Sequence, residues 1–164
     1  MFFGNKKNNK GKTVMAFGTF DILHAGHENF FKQAGELGNQ ILVIVSRDET
    51  VKSVKSESAQ NSEKIRLKNL RKTGWADKVI LGNHGDKHKV ITKYKPDIIA
   101  LGYDQFVFTQ TIEKTLIDAN INAKVIRLMP FEPQVFKSSL IKTKQRINEA
   151  EIKESQNQYQ QISN

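Results

Sequence analysis

Residues 18–27 read GTFDILHAGH, placing two imidazoles, His24 and His27, on either side of an Ala-Gly pair, with a carboxylate, Asp21, shortly before them. Gly18 lets the backbone turn sharply and approach a ligand with no side chain in the way. Gly26 stands where a following helix would open, so its unpaired N–H groups and dipole would favour a phosphate. Both imidazoles can then face one pocket and donate to one anion. Such a pair suits nucleotidyl transfer. A phosphate attacking the α-phosphorus of a nucleoside triphosphate is already ionised near neutral pH, so no strong base is needed. The difficulty is charge on the pentacovalent centre and on departing pyrophosphate, which oriented donors can stabilise, each by roughly 3–4 kcal/mol.

The chain around this stretch has to position it. Short apolar runs recur from Thr13 onward: TVMAFG, ILVIVS (41–46), KVILG (78–82), DIIALG (97–102) and AKVIRL (123–128). Residues 41–45 are apolar at every position, as in a strand covered on both faces, so a parallel sheet is expected. Helical spacing joins Phe30, Phe31, Ala34 and Leu37, with Gly38 as a stop. A second helix starts on Ser62 as N-cap, carries Ile65, Leu67 and Leu70, and ends at Gly74. A third carries Ile112, Leu116 and Ala119 and ends at Asn120. Alternating strands and helices with right-handed crossovers predict one α/β domain, doubly wound (Rossmann-like), with a five-stranded parallel sheet. Its ligands bind at the carboxyl ends of the strands near the switch point, which is where GTFDILHAGH falls.

GTFDILHAGH resembles the signature of the cytidylyltransferase-like nucleotidyltransferases, which share the HxGH motif, and the likeness runs from about Thr13 to Ile141. It implies that His24 and His27 bind the triphosphate and stabilise the transition state. Phe17, Gly18, Thr19, Phe20, Asp21, Ala25 and Gly26 would line the nucleotide, with Mg²⁺ or another divalent cation present. Asp21 has two readings, orientation of the loop or metal shell, or an Asx-type turn or cap. SRDETVKSVK resembles the segment supplying a phosphate-binding lysine, which implies Lys55, with Lys52 left to solvent. SEKIRLKNL resembles an acid-and-arginine helix start. Arg66 would offer its fork to phosphate oxygens, or else form a structural salt bridge.

KPDIIALGYDQ resembles the end of the fourth strand in archaeal-type FAD synthetases, which read LGxDQ. Asp104 would then contact the adenosine of ATP, cap the next helix, or do both. FKSSLIK resembles the segment that opens the last helix towards the triphosphate, through Ser138 and Ser139. Glycerol-phosphate cytidylyltransferases have an arginine shortly before it, whereas this chain reads FEPQVFKSS; Lys137 could replace its charge but not its fork. The resemblance therefore implies AMP transfer from ATP to FMN, giving FAD and pyrophosphate. The alternative is CTP-dependent transfer to glycerol 3-phosphate or a similar small phosphate. A homodimer is also implied.

Composition bounds the rest. At 164 residues the chain suffices for one domain. The absence of cysteine excludes disulfides, thiolate metal sites and cysteine nucleophiles. No apolar run approaches the roughly 20 residues of a membrane span, and the opening lacks a secretory core, so a cytoplasmic protein is expected. The net charge of +9 favours anionic ligands and leaves a non-catalytic nucleic-acid or anion-binding module as a remoter alternative. Residues 1–12, with four lysines and no acid, read as a disordered basic arm; 13–142 form the domain, and 143–164 a polar helix or tail. His84 and His88 in HGDKH have helical metal-ligand spacing, but Gly85 lies between them, and the segment reads as a solvated loop without a metal. Trp75 is expected to pack on the sheet.

Overall fold

A computed structural model describes residues 11–54, 58–86, 88–132, 134–136 and 138–162, with backbone alone at 107, 108, 138, 139 and 154–162. Five strands form one sheet: β1 (Thr13–Gly18), β2 (Gln40–Val45), β3 (Lys78–Leu81), β4 (Ile98–Leu101) and β5 (Lys124–Arg127). Every pairing is parallel and the order is β3-β2-β1-β4-β5. The chain winds outward from β1 through β2 to β3, then returns to lay β4 on the other side of β1. The switch point is therefore the crevice between β1 and β4.

Alternation along the strands divides the core. Val14 and Ala16 face one side with Ile41, Val43 and Val45, against helices α1 (Ala25–Leu37) and α3 (Glu63–Thr73). Met15 and Phe17 face the other with Leu42 and Ile44, against α4 (Lys89–Tyr94) and α5 (Phe106–Asp118). Phe31 of α1 is completely buried, worth roughly 2–3 kcal/mol by area alone. Its ring lies 5.8 Å from that of Trp75, which is partly buried on the sheet. Ile65 departs from the expected pattern: it is exposed, while the neighbouring Arg66 and Leu70 turn inward.

At the amino edge two carboxylates cap the strands: Asp97 Oδ2 accepts from the Thr13 amide at 2.8 Å, and Asp77 Oδ2 from that of Ile41 at 2.7 Å. These hold the sheet's far end and leave the carboxyl edge to the site. The short helix α2 (Asp48–Val54) buries Val51 alone. The last helix, α6 (Ser138–Ile162), runs without a break across the expected division at residue 143. HGDKH lies in irregular chain before α4; His84 is exposed and pairs with Glu49 at 2.9 Å, while Lys87 lies outside the described residues. No described helix is long and apolar enough to cross a membrane.

Candidate active site

Beyond β1 the chain turns through Phe20, whose φ of 50 is left-handed, an uncommon state for a bulky residue. Packing holds it there. The Phe20 ring is buried, 5.5 Å from Phe31 and 5.4 Å from His27. A Cβ on Gly18 would stand 2.6 Å from Phe20 Cε2, so glycine is required by this close approach. The ring expected at the nucleotide is thus part of the core and supports His27 from behind. Phe17 is buried too, in the opposite face of the sheet.

His24 is the N-cap of α1, and its Nδ1 accepts from the Gly26 amide at 3.1 Å. Its carbonyl accepts from the amides of His27 and Glu28 at 2.9 and 3.2 Å. These bonds revise the expectation of open amides from Gly26 onward: three are already engaged, and the helix favours an anion mainly through its dipole and the rings. With Nδ1 an acceptor, the neutral ring's proton sits on Nε2. Burial holds His24 below the ordinary imidazole pKa, in its neutral form.

The His24 and His27 rings stack at 3.9 Å with 30° between their planes. Two cations at that separation would repel by about 4 kcal/mol at an effective dielectric of 20, which disfavours charging both rings. A Cβ on Gly26 would lie 2.9 Å from His24 Cε1 and Nδ1 and 3.2 Å from the Phe136 carbonyl. The residue between the histidines is small because the first imidazole folds back over it.

Arg66 is placed differently from a phosphate ligand. Its side chain is completely buried. Nη1 donates to the Thr19 carbonyl at 2.6 Å, Nη2 to the Ser46 carbonyl at 2.8 Å and Asp48 Oδ1 at 2.7 Å, and Nε to the Asn61 carbonyl at 3.1 Å. It clamps the carboxyl ends of β1 and β2 together and does not present its fork to the crevice. Asp48 and Glu63 cap each other's helices. Asp48 Oδ2 accepts from the Glu63 amide at 3.2 Å, and Glu63 Oε2 from that of Asp48 at 2.8 Å. Arg47 joins them through Glu63 Oε1 at 2.8 Å.

Asp21 is buried and its carboxylate is occupied. Oδ2 accepts from the Gln60 amide at 2.7 Å and from Lys142 Nζ at 2.6 Å; Oδ1 accepts from the Asn61 amide at 2.8 Å. Burial alone would raise its pKa; the Lys142 hydrogen bond, the Gln60 and Asn61 amides and the Lys142 charge outweigh it, so the group sits below the ordinary carboxylate range. Asp21 thereby fastens the turn to the loop before α3 and to the second turn of α6. Lys142 was missed by sequence reasoning, although it ends the FKSSLIK segment.

Across the crevice, Gln105 ties the two strand ends together: Nε2 donates to the Phe17 carbonyl and Oε1 accepts from the Gly102 amide, both at 2.9 Å. Arg127 donates to the Gly102 carbonyl and to Thr109 Oγ1, each at 2.7 Å, and lies 4.3 Å over the Phe106 ring. Asp104 is exposed in the turn these residues fix, and the N-cap position of α5 belongs to Gln105. The carboxylate is therefore open to a ligand at the switch point.

Phe136, in the loop from β5 to α6, lies 6.3 Å from His24 with 22° between the rings. Sequence reasoning noted the missing arginine here and had no signal for the ring. Lys55 and Lys137 lie outside the described residues. Ser138 and Ser139 open α6, one turn before Lys142, as backbone. The structure thus gathers His24, His27, Gly26 and Phe136 at the end of β1, with Asp104 beyond β4, and assigns Arg66, Asp21 and Phe20 to the frame behind them.

The cytidylyltransferase-like family matches residues 15–146. The chain belongs to that family. Among relatives of this cytidylyltransferase-like chain, the FAD synthase of Pyrococcus abyssi is 40% identical over 136 residues, covering 82% of this chain and 89% of that protein. The FAD synthase of Methanothermus fervidus is 43% identical over 121 residues, covering 72% and 83%. The crystal structure of the lipopolysaccharide core biosynthesis protein from Thermoplasma volcanium GSS1 has a TM-score of 0.69 at 35% identity, covering 74% of this chain and 98% of that one.

A divalent cation is implied by the family likeness, and the described residues do not form a cage for it. None of them gathers three His, Asp, Glu or Cys side chains in metal-binding reach. Both oxygens of Asp21 already accept hydrogen bonds.

Proposed function

We propose that this chain is an FMN adenylyltransferase, joining FMN to the AMP part of ATP to give FAD and pyrophosphate. An oxygen of the FMN phosphate forms a bond to the α-phosphorus of ATP. The bond from that phosphorus to the α,β-bridging oxygen breaks, and the electron pair leaves with pyrophosphate. FMN is already largely dianionic near neutral pH, so the residues need only orient and neutralise. His24 donates from Nε2 to phosphate oxygen while staying neutral, and His27, stacked against it, is the second imidazole of the pair. Asp104 accepts from ribose hydroxyls of ATP, and magnesium enters as MgATP.

The observation carrying the chemistry is the stacked histidine pair on the N-cap of α1 at the switch point. The choice of FMN rests on the FAD synthases that align over four fifths of the chain. The CTP reading loses support in the stretch FEPQVFKSS, which has no arginine before the last helix. The test is a donor-by-acceptor panel read by product mass, with ATP or CTP against FMN or glycerol 3-phosphate. FAD should form from FMN and ATP alone; CDP-glycerol without FAD would reverse the reading.

A further inference from the structure

The loop between β5 and α6 exposes an unusual amount of apolar surface beside the histidines. Met129, Phe131 and Val135 are 74%, 38% and 41% exposed. Exposed apolar side chains gathered in one loop make a candidate binding surface. The loop is also held firmly. Gln33 of α1 donates to the Met129 carbonyl and accepts from its amide, both at 3.0 Å. The Glu132 carbonyl accepts from the amides of Val135 and Phe136, both at 2.9 Å, and the turn passes through a left-handed φ of 41 at Glu132.

That turn brings two rings into parallel array. Phe131 lies 5.8 Å from Phe136 with 14° between their planes, and Phe136 continues the array to His24 at 6.3 Å and 22°. Three nearly parallel rings therefore lead from the imidazole at the site of phosphate transfer to an open aromatic face. The outer ring is at most about 12 Å from His24, if the centres lie in line.

We propose that Phe131, backed by Phe136, is the platform on which the isoalloxazine of FMN stacks while its phosphate rests at the histidines. The inference builds on the FMN adenylyltransferase reading and adds the acceptor's subsite. Two arguments select this occupant. The first is length: seven single bonds separate the flavin ring from its phosphorus, about 8–9 Å when extended at ordinary bond lengths, with the tricycle's centre slightly further. A tether of this length falls within the upper bound that the two ring spacings set between His24 and Phe131. The second is the other end of the site. Phe106, also exposed, stands two residues beyond Asp104, on the adenosine side, and Arg127 lies over its ring. A flat, largely apolar ring system gains most from a fixed aromatic face, which Phe131 offers in a loop that also exposes Met129 and Val135.

The test uses the full chain with FMN and MgATP, and its variants Phe131→Ala, Phe131→Trp and Phe106→Ala. Removing the platform should raise KM for FMN about tenfold, the usual scale for losing one stacked ring. KM for ATP and kcat at saturating FMN should stay within about twofold. Phe131→Trp should restore the low KM and deepen quenching of flavin fluorescence on binding, with Tm reporting that each variant is folded. The proposal is overturned if Phe131→Ala leaves KM for FMN unchanged, if it raises KM for both substrates alike, or if Phe106→Ala alone weakens FMN. Should the wild-type chain make no FAD, the reading of the activity fails separately. A fluorescence titration with FMN then decides the platform: weaker binding in Phe131→Ala supports it, and equal binding rejects it.

Discussion

Replacing Arg66 with lysine keeps the charge and removes the fork, which separates a frame residue from a phosphate ligand. The guanidinium reaches three carbonyls, of Thr19, Ser46 and Asn61, and the Asp48 carboxylate, from a side chain with no solvent exposure. A lysine ammonium radiates three donors from a single point, so of these four acceptors at least one carbonyl is left without its donor. Each buried polar group so abandoned costs about 1–3 kcal/mol, so Arg66→Lys should lose at least that much. In a domain of this size that lowers Tm by about 2–12 °C, and Arg66→Ala, which strands the whole set, by more. Thermal unfolding beside steady-state kinetics with FMN and ATP is the assay. KM for ATP measured on the folded fraction should move little for Arg66→Lys compared with Tm. A lysine variant that melts within about 2 °C of wild type but needs about tenfold more ATP would refute the clamp and restore the phosphate-ligand reading.

His27→Ala should lower turnover by about 10²–10³ with a small change in Tm, because the lost donor acts on the transition state; steady-state rates and a melt check this. Gly18→Ala forces a methyl to 2.6 Å from the Phe20 ring, which backs His27, so stability should fall by about 1–3 kcal/mol and turnover with it. The double variant with Phe20→Leu should recover part of both, and no recovery would show that the clash is not the cause. His24 resists protonation when folded. Below the ordinary imidazole pKa of 6.5 the unfolded chain therefore takes up a proton that the folded one refuses, and stability falls with pH until the depressed folded pKa is passed. His24→Asn keeps an N-cap acceptor but removes the titration, so melts between pH 7 and 5 should show a flatter slope. Asp21 acts lower on the scale: its stabilisation is complete above 3.8 and is lost as pH falls through its depressed folded value, a loss Asp21→Asn should abolish in acid unfolding curves.

The sheet was legible in the sequence because each strand is a compact apolar run, and the run 41–45 marks a strand buried on both faces. The first histidine turn was legible because its residue types are rare together. Less readable was α2: seven residues with one buried side chain carry little periodicity, and its start is capped by Glu63, fifteen residues away. Arg66 shows the deeper limit. An arginine fork reads the same whether its acceptors are phosphate oxygens or main-chain carbonyls, and only burial distinguishes them. Gln105 and Phe136 are not legible in the sequence, since a neutral amide and a plain ring carry no chemical signal until folding sets them beside strand ends and an imidazole.

The grip of Arg66 on main-chain oxygens also predicts an unequal freedom to mutate. Every amino acid has a carbonyl, so drift at positions 19, 46 and 61 leaves those handholds intact, whereas position 66 tolerates no other side chain of equal reach. The rim of the crevice can thus change its side chains at these positions without loosening the grip, around a single arginine whose demand on its position is architectural.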